Sequence, residues 1–208
     1  GVGVWVAQSS GNRISHNEIH DLLYTGISIG WNWDDAENRC RDNVIEMNHA
    51  HHLVNGVLSD AGAIYCLGRS PGSVIRRNHF HDVWPYGTPP FGWGIYLDAT
   101  CSGYLVEENL VHDIRSGGLM YSNGGHEHVV RNNIFALGAD YSLWPFWEKR
   151  PNEFRRNIVY LTQGEVFVPF TERTLLERTA AKEPLGAWDE NLYWHAGGPD
   201  RLRFFRRT

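Results

Sequence analysis

Two aspartates are the side chains in this sequence best suited to acid–base chemistry. Asp60 closes "GVLSD" and Asp98 closes "GIYLD", each four residues after a glycine. If Gly56 and Gly94 share a register on neighbouring rungs of a sheet, the two carboxylates stand about 5–9 Å apart. At that separation one carboxyl can protonate a leaving oxygen while the other attacks carbon or activates water. Proximity also raises one of the two pKa values, which keeps one carboxyl protonated near neutrality. A second alignment, counted back from Asn78 and Asn109, matches Ala63 with Gly94. Asp60 then opens a strand and Asp98 closes one, and they meet only if the loop folds back. For either residue the structural alternative is a turn cap that bonds nearby backbone amides.

Flat rings accompany the acids. The chain has nine Trp and nine Tyr in 208 residues. Trp31, Trp33, Asp34 and Asp35 lie in "GWNWDDAENRC" (30–40), Asp60 in "HLVNGVLSDAGA" (52–63), and Trp84, Tyr86, Phe91 and Trp93 in "VWPYGTPPFGW" (83–93). Aromatic faces stack on flat ligands such as sugar rings. Trp31, Trp33, Trp93 and Tyr96 are therefore expected to form sugar subsites, with Tyr65, His81 and Tyr121 completing the expected contact set.

The elements that must position these groups are repeats. The fragments "NEIHD", "NHAHH", "NHFHD" and "NLVHD" begin at Asn17, Asn48, Asn78 and Asn109, and related turns place Asn133, Asn157 and Asn191. The intervals are 31, 30, 31, 24, 24 and 34 residues. A short alternating strand precedes most of these asparagines, and a second strand recurs as "GISIG", "GAIYCLG", "GIYLD" and "GLMYS". Short strands and polar turns at this period, without a helical repeat, indicate a solenoid. The expected fold is all-β: a right-handed parallel β-helix forming one domain over residues 1–208, with one helix within 171–183. Asparagines equivalent from coil to coil would stack about 4.8 Å apart and pair their amides, and Asn tolerates the left-handed backbone of a sharp corner. His20, His51, His81 and His112 would stack likewise. A linear row does not converge on one point, so it predicts scaffold and no metal site. The first three intervals carry six or seven extra residues each, and loops on one face of a solenoid usually build its binding site.

Several classes are disfavoured. Net charge is −5, and Lys149 and Lys182 are the only lysines, so there is no basic footprint for nucleic acid. No run of 18 apolar residues suits a membrane span. Cys40, Cys66 and Cys101 form no metal-ligand spacing and allow one disulfide at most. Cys66 reads as core, while Cys101 beside Asp98 could be exposed. No cofactor is called for, although a structural calcium ion is compatible with the composition. Both ends read as cut from something longer.

The stretches "GISIGWNW", "SDAGAIYCLGRSPGSVIRRNHFHDV", "WGIYLD" and "VVRNNIFA" resemble bacterial right-handed β-helix proteins of the glycoside hydrolase family 141 type, over roughly residues 20–195. The resemblance implies a secreted or periplasmic, monomeric glycosidase that acts on a plant or bacterial polysaccharide or oligosaccharide. It matches Asp60 and Asp98 to the family's proposed catalytic aspartates. Related sequences often carry a second acid after the later aspartate, where this chain has Ala99. Two other readings stay open. One is a polysaccharide lyase or epimerase with Lys149, beside Arg150, as the base; the other is a non-catalytic carbohydrate-binding solenoid.

Overall fold

The computed structural model describes residues 1–88, 90–121, 124–145, 152–169, 171–183 and 186–205. Among the described residues three parallel sheets of seven strands each wind into a solenoid, and each coil contributes one strand to each sheet in turn. Central strands of the first sheet are Ile27–Gly30, Ala61–Arg69, Gly92–Ser102, Gly117–Tyr121 and Tyr141–Pro145. The second sheet contains Val44–Glu46, Val74–Arg76 and Leu105–Glu107, and the third contains His49–Leu53, His79–Val83 and Leu110–Ile114. The third strand of each coil starts immediately after the asparagine ladder, where the sequence had suggested only a turn. Helix α1, Thr171–Ala180, lies within the segment expected to be helical.

Stacking turns the sequence repeat into continuous apolar columns. In the first sheet Ile27, Ile64, Ile95, Leu119 and Leu143 are in register. The second sheet aligns Ile45, Ile75, Val106 and Val130, and the third aligns Ala50, Phe80, Val111 and Phe135. All are buried in one core. Each large aliphatic or aromatic side chain so buried contributes about 1.5–3 kcal/mol relative to exposure.

The asparagines at the corner form one unbroken ladder. The side-chain amides of Asn17, Asn48, Asn78, Asn109, Asn133 and Asn157 each donate to the Oδ1 of the next, ending on Asn191, at 2.9–3.2 Å. The same Oδ1 atoms also accept a backbone N–H from the coil before, as from Asn78 to Asn109 at 3.0 Å. The left-handed residue of this corner is the one before the asparagine: His16, Met47, Arg77, Glu108, Asn132, Arg156 and Glu190 all have φ of 53–58°. This corrects the expected division of labour. The asparagine faces inward to bond, and its neighbour absorbs the strained turn with its side chain outside. A second, mixed ladder at the preceding corner uses Asn43, Ser73, His128 and Asn152.

Candidate functional site

The three insertions gather around the first sheet. Residues 31–43 leave it after Ile27–Gly30, while 54–60 and 84–91 lead into Ala61–Arg69 and Gly92–Ser102. The latter two loops are bound to each other: Gly56 N donates to Trp84 O, Tyr86 N to Leu58 O and Asp60 N to Phe91 O, each at 2.6 Å. Val54, Asn55, Gly56 and Asp60 all have positive φ, which folds the chain back over the strand that follows.

Tyr96 pairs with Tyr65 and Asp98 with Leu67 across the coils. This is the second of the two alignments, and it overturns the shared register of Gly56 and Gly94. Asp60 opens one strand and Asp98 lies far along the next. The folded-back loop nevertheless brings both carboxylates to one pair of phenols. Tyr65 and Tyr96 stack with centroids 4.2 Å apart and rings 12° from parallel. Tyr65 Oη donates to Asp98 Oδ2 at 2.7 Å, and Tyr96 Oη donates to Asp60 Oδ1 at 2.9 Å. The bonds cross, because each phenol serves the aspartate associated with the other coil. After Asp98 the register slips by a bulge, with Thr100 left-handed, and bulges re-aim side chains beside functional sites.

The two acids differ in environment. Asp98 is 4% exposed, whereas Asp60 keeps a solvent-exposed edge. Partial desolvation raises the Asp60 pKa above the ordinary carboxylate value, the Tyr96 hydrogen bond lowers it, and the Asp98 charge raises it again. Burial, reinforced by both carboxylates, pushes the Tyr65 and Tyr96 phenols far above their usual range, so both remain donors. Tyr24, which no motif in the sequence singled out, also feels both acids: burial and the charges of Asp60 and Asp98 raise its pKa. Only the tertiary placement of its bend, between the strands Glu18–Leu22 and Ile27–Gly30, reveals it.

The expected sugar contacts divide into three groups. Trp33 stays on the open side at 62% exposure, while Trp31 is half-buried, stacked on Trp5 and tilted against Tyr65 with ring centroids 5.5 Å from each. Tyr65 and Tyr96 are buried and hold the carboxylates instead of offering a face. Trp93, Tyr121 and His81 do not join the site. Trp93 is 1% exposed and packed edge-on against Phe91 and Trp144. A cavity of about 260 Å³ lined by Phe91, Trp93, Tyr141 and Trp144 borders this layer. Tyr121 points into the interior core in register with Leu97. His81 belongs to the third sheet, on another face of the coil.

Other sequence candidates have structural roles. Asp34 caps its own loop by accepting from Ala36 N and the Asn32 amide at 2.9 Å. Asp35 anchors that loop to His126 at 3.2 Å. All three cysteines are free and buried, so Cys101 is not exposed, and burial raises its thiol pKa well above the usual value. Lys149 and Arg150 lie outside the described residues. No helix among those described is long and apolar enough to cross a membrane.

Residues 1–159 match the family description of the right-handed beta helix region. The chain belongs to the right-handed beta helix family. Neither the curated proteins nor the solved structures include a significant match.

Proposed function

We propose that this β-helix is a glycoside hydrolase acting on a plant or bacterial polysaccharide outside the cytoplasm, the class implied by its resemblance to glycoside hydrolase family 141. The crossed arrangement of Asp60 and Asp98 on the stacked Tyr65–Tyr96 pair carries the reading. Asp60, solvent-accessible and with a raised pKa, serves as the general acid toward the leaving oxygen. Asp98, held by the Tyr65 hydroxyl, serves as nucleophile or as base toward water. Trp33, exposed and edge-on to the half-buried Trp31, supplies the stacking face for a sugar ring. Ala99 is 8% exposed within the aromatic layer, where an ionised acid would be desolvated. The chemistry is therefore asked of Asp60 and Asp98 alone.

The test is product release from a panel of plant and bacterial polysaccharides by the wild type, Asp60→Asn and Asp98→Asn. Turnover is expected to fall about 10²–10⁴-fold in either variant with the melting temperature retained. Early-product NMR then assigns Asp98: retained anomeric configuration makes it the nucleophile, and inversion makes it the base. Unsaturated, ultraviolet-absorbing products would replace this reading with a lyase. Sugar binding without any product, unchanged in the double variant, would make the protein a binding solenoid.

A further inference from the structure

The geometry points to a site for one divalent transition-metal ion on the outer face of the third sheet, with His49, His79 and His81 as ligands. Strand alternation places Ala50 and Phe80 in the core and turns the histidines outward. Parallel pairing puts His49 directly beside His79. The result is two adjacent rows where the sequence suggested one. His20, His51, His81 and His112 stack in nearly parallel rings 4.8–5.1 Å apart, and His49 and His79 stack beside them at 4.7 Å. A single row diverges, but two rows face each other.

Orientation favours a cation. Asp82 Oδ2 lies 2.6 Å from His81 Nδ1, which places a proton on Nδ1 and turns the Nε2 lone pair toward His49 Nε2 at 2.7 Å. Asp113 and His112 repeat the arrangement beside His79, with Nε2 atoms 2.7 Å apart. A carboxylate on the far nitrogen is the usual support of a metal-bound imidazole. One nitrogen each from His49, His79 and His81 lie within 4.8 Å of one another. A tetrahedral ion with metal–nitrogen bonds of about 2.0–2.1 Å needs ligand atoms about 3.3 Å apart, within reach of small side-chain rotations. An all-imidazole set selects zinc, copper or nickel over calcium or magnesium. Because His49 lies one coil before His79 and His81, the ion would clip adjacent coils together and stabilise the folded chain by linkage. Glu18, His49 and His51 form a neighbouring trio that shares His49, and the two trios compete for it.

The experiment is calorimetric titration of the metal-stripped full chain with Zn²⁺, paired with the Co²⁺ absorption spectrum and thermal melts. The wild type is expected to bind one ion with Kd of roughly 10 μM or tighter, to give tetrahedral cobalt bands and to melt higher with Zn²⁺. His79→Ala should weaken binding at least tenfold and abolish the melting shift, and Asp82→Asn should weaken it about 10–100-fold. His195→Ala, away from the cluster, should change nothing. Circular dichroism before titration shows that each variant is folded, and Asp82→Asn keeps the test valid if His79→Ala is not. Wild-type binding weaker than about 1 mM overturns the proposal. So does binding that survives His79→Ala and is lost in His51→Ala, which would move the ion to the trio with Glu18.

Discussion

At the scale of single residues, the opposite fates of two tryptophans separate recognition from packing. Trp33→Ala removes an exposed ring, so it should raise KM for an oligosaccharide and leave the melting temperature within a few degrees. Trp93→Ala opens the buried aromatic layer, and chemical denaturation should show a loss of about 3–5 kcal/mol. The Asp60–Tyr96 bond gives a prediction in pH. Its donor lowers the Asp60 pKa, so Tyr96→Phe should raise that pKa further. Asp60 works as the acid only while protonated, so the alkaline limb of the rate–pH profile should move to higher pH. A shift in the other direction would mean that Asp60 is not the acid.

Elements are held together by bonds between equivalent residues of successive coils, so the cost of a mutation depends on rung position. Asn109 is 2% exposed; it donates to Asn133 and to Ile75 O, and it accepts from both nitrogens of Asn78. Asn109→Ala strands several buried polar groups and should cost about 2–4 kcal/mol. Asn17 occupies the first rung, donates to Asn48 and Ser15 O, and remains exposed. Asn17→Ala should cost less than half as much. Equal losses in paired denaturation curves would show that the ladder does not act as rung-by-rung support. The motif "NxxHD" was legible in the sequence, and so was the stacking of its Asn and His. The left-handed residue of the asparagine corner was misplaced by one position, because Asn is the stereotypical left-handed residue and only the inward hydrogen bonds show that its side chain is engaged elsewhere.

On the scale of the whole molecule, stability should depend on a histidine that substitutes for an asparagine. His128 stands in the second ladder at the position of Asn43 and Asn152. Burial lowers its pKa from 6.5 to about 3. Between those values the unfolded chain holds a proton that the folded chain excludes. Stability from this group is complete above about pH 6.5 and falls as pH drops toward 3. His128→Asn restores the ladder's commoner residue and should flatten the acid side of a plot of melting temperature against pH while preserving the fold at pH 7. An unchanged acid limb would assign the sensitivity to other groups.

The sequence alone determined the solenoid, the stacked corner asparagines and where the insertions fall in the chain, because each shows as a residue type recurring at an interval or as a departure from it. It also named Asp60 and Asp98, through their common spacing from a glycine and the family resemblance. Tertiary structure decided how they meet. One alignment followed the glycine spacing and the other the asparagine spacing, and inter-strand hydrogen bonding chose the second. Which aromatic rings face solvent depended on the third coordinate as well: Trp93 and Tyr121 look like Trp33 in the sequence, yet one packs under a loop and the other points into the coil. The second row of histidines was hidden for the same reason. His49 and His79 were visible as letters, but the approach of His49 to His79 and His81 depends on a lateral register that no single strand contains.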